Sequence, residues 1–359
     1  MKQIPGGVTA PKGFRAWGVH CGVKSKKADK KDLTLILSDQ ECAAAAVYTM
    51  DRVKAAPLYV TMEHLEDGTA WGVAANSGNA NACCPMSHEY AEEMARLAAR
   101  ATGRAPADFV VASTGVIGQT LNIAAIRAGM PEAAAGLTAG PEGSDAAARA
   151  IMTTDTVKKE LALACSIGGR TVTLGAIAKG SGMIHPNMGT MLCFVTTDCA
   201  ITREMLSEAL REAVPRTFNR VTVDGATSTN DMCAVLANGM AGNPLIEWKD
   251  DGYTVFLKAL RQLCQELARA IAGDGEGASR LITCAVREAR SEESAERLAK
   301  VAVAMGVDTT GMSTDEAADA AIAAVKQLSA DVNIPHVCEA MKADEIEVLA
   351  KDAMADACF

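Results

Sequence analysis

The sequence predicts a mixed α/β fold, because short apolar segments of strand length alternate with segments of helical spacing. Strand-like runs include DLTLIL at 32–37 and AWGVAAN at 70–76. A helix-like run begins at residue 87, where early acids, a late Arg and Gly103 frame apolar residues at helical spacing. Such an alternation is typical of a protein whose helices pack on a sheet.

The composition is that of a globular chain with a large core. Of its 359 residues 49% are apolar, and no apolar run approaches the roughly 20 residues that span a bilayer. The N-terminus lacks a secretory apolar region, so we expect a cytoplasmic protein. A net charge of −9 and 4% aromatic residues argue against nucleic acid as a partner. The twelve cysteines include no C-x-x-C pair, which predicts reduced core residues and no metal site.

The remaining elements follow from the same patterns in chain order. Apolar runs predict further strands at 43–49, 108–114, 171–178, 191–198 and 281–287, and helical spacing predicts helices at 202–213 and near 253–272. The Ala-rich stretch 123–151 predicts helices broken by Pro131 and Pro141. From about residue 304 the pattern predicts capped helices only, which marks a compositional boundary.

One segment, KGSGMIHPNMGTMLC at 179–193, surrounds a single threonine, Thr190, with glycines, a proline and Lys179. A threonine hydroxyl becomes a nucleophile when the residue is the first of a chain, since its own α-amine then acts as the base. An internal threonine reaches that state only if the preceding peptide bond is cut, and the small Gly189 favours such a cut. The alternative is that KGSG and HPN are two turns joining strands.

Two further glycine-rich stretches carry candidate site residues. STGVIG at 113–118 follows an apolar strand, where the backbone N–H groups of Thr114 and Gly115 could hold an oxyanion, or simply form a strand-to-helix turn. GDGEGA at 273–278 presents Glu276, which could pair with a cationic substrate amine or face water.

Together these motifs resemble one family. The 179–193 segment, with GGVTAPKGFRA, DRVKAAP, NSGNANAC, VASTGVIGQ, IMTTDT, TVDGATSTND and DGEGA, is similar to the ornithine acetyltransferase (glutamate N-acetyltransferase) family of arginine biosynthesis over about residues 5–300.

That resemblance implies a self-cleaving N-terminal-nucleophile fold, a layered α/β/β/α-like sandwich. It implies cleavage between Gly189 and Thr190 into α and β chains that stay associated, as an α2β2 heterotetramer, and acetyl transfer from N-acetylornithine to glutamate through Thr190. The resemblance leaves open whether acetyl-CoA is an alternative acetyl donor, and it implies no other cofactor. The implied oxyanion pair is Thr114 and Gly115.

The same resemblance implies that Thr156 of IMTTDT, Lys179 and Glu276 contact substrate. Lys179 suits a substrate carboxylate and Glu276 an amine, since both contacts are charge-assisted hydrogen bonds. Family members usually have Ala before the nucleophile, where this chain has Gly189.

The C-terminus departs from the family pattern. Its D-P-N-W-G-R-like segment and closing Asn and Ser/Thr are absent, and 304–359 resembles the C-terminal helices of iron-containing alcohol dehydrogenases. We therefore expect a chimera with an α-chain region at 1–189, a truncated β-chain region at 190–303 and an all-helical tail at 304–359. Loss of one pocket wall leaves an alternative function, a leaky N-acetylornithine hydrolase or a non-catalytic remnant.

Overall fold

The computed structural model describes residues 1–23, 30–184, 191–286 and 289–304. The chain divides into two compact units, Met1–Leu281 and Ile282–Phe359. In the second unit the described structure is chiefly one helix. The predicted boundaries at 189/190 and 303/304 stay predictions, and the all-helical tail lies, apart from residue 304, outside the described residues.

The first unit contains nine strands and six helices within its described residues. The strands are β1 Lys2–Ile4, β2 Phe14–Val19, β3 Leu33–Tyr48, β4 Thr69–Asn79, β5 Phe109–Val116, β6 Lys159–Ile167, β7 Arg170–Lys179, β8 Leu192–Thr197 and β9 Met232–Ala237. The helices are α1 Ala56–His64, α2 Ser87–Thr102, α3 Ile123–Ala135, α4 Pro141–Ile151, α5 Arg203–Ala213 and α6 Asp251–Gly273, and the second unit contributes α7 Glu292–Ala304.

The nine strands form one continuous hydrogen-bonded sheet in the order β1-β6-β7-β8-β9-β3-β4-β5, with β2 also paired to β3. Most neighbours are antiparallel, whereas β4 with β5 and β8 with β9 are parallel. The 16-residue β3 joins the two halves: Leu33–Ser38 pairs with β2, and Ala43–Tyr48 pairs with β9. A register shift between Leu37 and Cys42 marks the point where β3 passes from one half to the other.

Alternating side chains divide the first unit into layers. In β8, Cys193 and Val195 pack with α5 and α6, while Phe194 faces the central core that both halves of the sheet share. In β5, Val110 lies in that central core, while Val111 packs with α2 and α3. Because successive strand residues point to opposite faces, this pattern defines a helix, sheet, sheet, helix order.

Several sequence-based element predictions need correction. The runs 32–37 and 43–49 are parts of one strand, β3, because the polar residues between them continue its backbone path. Pro131 does not break a helix but lies inside α3. The strand predicted at 281–287 is wrong over 281–286, where the backbone forms no strand and the apolar Leu281 and Ile282 are exposed.

Sequence patterns missed four strands. The segments β1, β2, β6 and β9 are short or lack clear alternation, and β9 is buried on both faces. Among the helices in the described ranges, none is long and apolar enough to cross a membrane.

Candidate active site

Three strands meet at one edge of the sheet and position the site. The last residue of β7, Lys179, is opposite Leu192 at the start of β8, and Leu192 is opposite Met232 at the start of β9. The residues just before these strand starts, Met191 and Asp231, therefore lie at the same edge as Lys179.

Lys179 is the central cation of this edge. Its Nζ donates a hydrogen bond to Oγ1 of Thr114, 3.0 Å away, so β7 is joined to the end of β5. Burial lowers the pKa of the Lys179 ammonium group, and the carboxylates of Asp155 and Asp231 oppose that change. A lysine with a lowered pKa beside a hydroxyl is typical of a functional site.

Position 115 requires glycine because neighbouring backbone atoms leave no room for a Cβ atom. Its φ is +135°, and a Cβ built there would lie 2.6 Å from the amide nitrogen of Asn79 and 2.7 Å from the carbonyl oxygen of Gly78. Both are backbone atoms that cannot rotate away. The close approach of β5 to β4, at an irregularity of their parallel register, thus requires glycine after Thr114.

A buried ion cluster supports the start of the 179–184 segment. Lys159 Nζ lies 2.7 Å from Asp155 Oδ1 and 2.6 Å from Asp274 Oδ2. Asp155 Oδ1 also accepts the N–H of Gly180, at 2.7 Å. Burial alone would raise the pKa of Asp155, but the charges of Lys179 and Lys159 outweigh it and hold that pKa below its usual value.

Thr156 is tied to the same cluster, and Glu276 is tied to the 179–184 segment beside it. The Thr156 N–H donates to Asp274 Oδ2 at 3.1 Å, and its hydroxyl also bonds that carboxylate. The Glu276 N–H donates to the carbonyl of Ser181 at 2.9 Å. The Glu276 carboxylate lies against Gly182, in the space that a Cβ atom at position 182 would enter.

Residues 222–232 hold both ends of the segment that contains the predicted cut. On the upstream side, Asp224 Oδ1 accepts the N–H of Ile184 at 2.8 Å, and the Val223 N–H donates to the Ile184 carbonyl at 2.7 Å. On the downstream side, the Met232 N–H donates to the carbonyl of Met191 at 3.0 Å. Gly189 and Thr190 themselves lie outside the described residues.

The structure thus brings together the five predicted site residues that it describes. Thr114 bonds Lys179 directly and Gly115 follows Thr114. The ion cluster holds Thr156 through Asp274, and the backbone of Glu276 bonds Ser181, two residues after Lys179. Across the described parts of the chain, no group of three or more His, Cys, Asp or Glu side chains is arranged to hold a metal ion.

Sequence reasoning missed four ionisable residues, Asp155, Lys159, Asp231 and Asp274. Asp155, Asp231 and Asp274 stand inside the motifs IMTTDT, TVDGATSTND and GDGEGA. An acidic residue within a Gly- or Thr-rich turn is a sequence signal that could have identified these three aspartates as site residues. The pairing of Lys159 with Asp155 and Asp274 is visible only in the fold.

A sequence model of the ArgJ family matches residues 15–356. The chain belongs to the ArgJ family. It is 53% identical over 301 residues to the arginine biosynthesis bifunctional protein ArgJ of Symbiobacterium thermophilum, covering 84% of this chain and 74% of that protein. The ArgJ protein of Bacillus subtilis is 44% identical over 338 residues, covering 93% of this chain and 82% of that protein.

A crystal structure of ArgJ from Bacillus halodurans is 41% identical, with a TM-score of 0.50, and covers 53% of this chain and 97% of the solved chain. This likeness confirms the predicted fold class. The ArgJ match likewise confirms the prediction of an arginine-biosynthesis acyltransferase and favours it over a non-catalytic remnant.

Proposed function

We propose that this chain is a self-cleaving glutamate N-acetyltransferase that moves an acetyl group from N-acetylornithine to glutamate through an ester on Thr190. The observation that carries the proposal is the contact of Lys179 with Thr114, beside Gly115, at the sheet edge that also holds Met191. Met191 directly follows Thr190 in the sequence, so the nucleophile is attached to this edge.

The first step is cleavage before Thr190. The Thr190 hydroxyl attacks the carbonyl carbon of Gly189, the C–N bond breaks as the nitrogen takes a proton, and water hydrolyses the resulting ester. This leaves a carboxylate on Gly189 and a free α-amine on Thr190. The hydrogen bonds at Ile184 and Met191 support this step, because they fix the chain on both sides of the predicted cut.

The second step is acetyl transfer. The α-amine takes the hydroxyl proton as Oγ attacks the acetyl carbon of N-acetylornithine, and the leaving ornithine amine takes a proton. The oxyanion is held at Thr114 and Gly115, near the positive charge of Lys179. The amine of glutamate then attacks the ester and releases N-acetylglutamate. Acetyl-CoA as an alternative donor stays a prediction.

Substrate recognition is assigned to two charged side chains. Lys179 holds the substrate carboxylate, and Glu276, which is exposed beside Gly182, holds a substrate amine. Thr156 completes this side of the pocket through its bonds to Asp274.

Chain lengths support the cut. The Bacillus halodurans chain is matched over almost its whole length yet covers 53% of this chain, and the 189 residues before Thr190 are about the same share of 359. We infer that the two products stay together in an α2β2 assembly in the cytoplasm. The family match extends through residue 356, so it spans nearly all of 304–359, and the alcohol-dehydrogenase resemblance of that segment stays a prediction.

A denaturing gel tests the cleavage. We expect the purified protein to give two bands, of 189 and 170 residues from the 359, and Thr190→Ala to give one full-length band. Thr254→Ala is the matched control, since Thr254 is an exposed threonine on α6 away from the site, and it should be cut normally. A single band from the unaltered protein contradicts the proposal.

Product analysis tests the transfer. Cut protein given labelled N-acetylornithine and glutamate should form labelled N-acetylglutamate in proportion to the ornithine released. Labelled acetate as the main product would instead establish the hydrolase, because it means that water reaches the acetyl ester before glutamate does.

A further inference from the structure

Ser181 connects the two charged side chains that are assigned to the substrate, although no assigned role uses it. It follows Lys179 by two residues and is 1% exposed. Its Oγ donates a hydrogen bond to the carbonyl oxygen of Asp274 at 2.7 Å, and its own carbonyl accepts the N–H of Glu276 at 2.9 Å. The loop that carries Glu276 is therefore bonded to the strand end that carries Lys179.

The backbone of Ser181 is itself held in place. Lys179 is the last residue of β7, a strand paired with β8, and the next residue, Gly180, donates its N–H to Asp155 Oδ1 at 2.7 Å. The same oxygen lies 2.7 Å from the ammonium group of Lys159. The chain from Lys179 to Ser181 is thus fixed by the sheet on one side and by a buried ion pair on the other.

The loop that carries Glu276 has a second attachment through Asp274. The Asp274 carboxylate accepts the N–H groups of Thr156 at 3.1 Å and of Val157 at 3.2 Å. Its backbone carbonyl is the group that accepts the Ser181 hydroxyl. Both ends of Asp274 are therefore bonded, two residues before an exposed glutamate. Such support beneath a charged side chain is the arrangement that fixes a recognition group.

These bonds set where the Glu276 carboxylate lies relative to Lys179. The carboxylate rests against Gly182, the residue after Ser181. In the proposed function Lys179 binds the substrate carboxylate and Glu276 binds its amine, so the two residues hold opposite ends of one amino acid. A fixed separation between them then suits one number of methylene groups between those ends.

We propose that Ser181 is a positioning residue that holds Glu276 at a fixed separation from Lys179, so that the site selects acetylated diamino acids with the chain length of ornithine. This inference rests on the proposed function. Ser181 acts only through Glu276 and takes part in no bond that the reaction forms or breaks.

Competing substrates of different length test this role. N-acetyl-lysine has one methylene more than N-acetylornithine, and the unaltered protein should prefer N-acetylornithine in kcat/KM by about 10–200-fold. Ser181→Ala removes the hydroxyl bond to Asp274 and should reduce this preference about 2–10-fold, the effect of one hydrogen bond. The KM for N-acetylornithine should rise while kcat stays nearly unchanged, because the reacting atoms keep their partners.

A double-mutant cycle separates this role from a general loss of stability. Glu276→Gln removes the charge through which Ser181 acts, so it should lower the preference by itself. In that background Ser181→Ala should change the preference by less than about twofold. Ser181→Cys keeps the shape with a weaker donor, and it should lie between Ser181→Ala and the unaltered protein. It answers the same question if Ser181→Ala does not fold.

Thr196→Val is the matched control. Thr196 is 0% exposed, and its Oγ1 donates to the carbonyl of Val8 at 2.8 Å, four residues along β8 from the Leu192 that is opposite Lys179. The substitution removes a comparable buried hydroxyl bond and keeps the side-chain size. It should lower the midpoint of thermal unfolding but leave the preference between the two substrates unchanged.

Three results overturn the role of Ser181 while the enzyme is active: no preference in the unaltered protein, a preference in folded Ser181 variants within about twofold of the unaltered value, or an equal effect of Ser181→Ala with and without Glu276→Gln. An equal loss of preference in Thr196→Val also overturns it. If the unaltered protein transfers no acetyl group from N-acetylornithine, the proposed function itself fails, and the role of Ser181 fails with it.

Discussion

Substituting Gly115 by alanine is the sharpest test of the oxyanion assignment. The new Cβ would meet the backbone of Gly78 and Asn79, with two of its three nearest atoms at 2.6 and 2.7 Å. The φ of +135° is also one that alanine rarely adopts. Relief therefore requires β5 to move away from β4 at the point where the Gly115 N–H is assigned to the oxyanion.

The expected magnitude has two parts. Backbone strain contributes about 1–3 kcal/mol, and overpacking against fixed backbone adds about 1–3 kcal/mol. The midpoint of thermal unfolding should then fall by roughly 5–20 °C. Displacement of one oxyanion donor should lower kcat about 10²–10³-fold even at temperatures where the variant is folded.

Gly118→Ala is the matched control for Gly115→Ala. Gly118 has a φ of +80° in the same loop, but nothing lies within 4 Å of a Cβ built there. It should cost only the backbone term, about 1–2 kcal/mol, with kcat nearly unchanged. Thermal unfolding by circular dichroism and initial rates at 25 °C give both quantities. The assignment is refuted if folded Gly115→Ala has a kcat within threefold of that of Gly118→Ala.

Two further predictions concern the buried ion cluster. Lys159→Met leaves Asp155 and Asp274 without their shared cation, so the free energy of unfolding in urea should fall by about 3–5 kcal/mol. The control Lys249→Met, at an exposed lysine, should change that free energy little. Equal effects of the two substitutions would contradict a structural role for the cluster. The pKa values of Asp155 and Asp274 are held below their usual values, so their contribution to stability is complete above the pKa of an unfolded aspartate, about 3.9, and is lost as pH falls through the lower folded values. Urea unfolding between pH 6 and 3 should show stability declining toward low pH with a steeper slope than in Asp274→Asn, and parallel slopes would count against this pairing.

The sequence predicts this fold best where periodicity is strong. The helices at α2, α5 and α6 have one apolar face each, and their predicted positions agree with the structure to within two residues. The prediction fails where strands are buried on both sides, as in β9, because no alternation remains to be read. Pro131 misled because an interior proline removes one backbone hydrogen bond and is therefore a helix-ending signal in the sequence, whereas α3 continues through it to Ala135.

Part of the site could also be predicted from neighbouring residues, and part depends on contacts between residues far apart in the sequence. Thr114, Gly115 and Lys179 stand in local motifs whose chemistry can be inferred from neighbouring residues. The pairing of Lys159 with Asp274 joins residues 115 positions apart, and the approach of Asp231 to Met191 depends on the parallel pairing of β8 with β9. Neither contact produces a repeating pattern of residues from which it could be predicted.

The pairing of β7 with β8 has a consequence for the protein after cleavage. These strands are antiparallel neighbours, joined from Leu174 opposite Thr197 to Lys179 opposite Leu192, and the predicted cut falls in the connection between them. A single cut therefore turns the β7–β8 pair from two strands of one chain into two strands of different chains. All backbone hydrogen bonds between the two strands are kept. The separated products would expose two bare strand edges, so each half should depend on the other for solubility. Mature protein is then best regarded as a single folding unit with two extra termini, and the halves expressed apart should aggregate or remain unfolded until they meet.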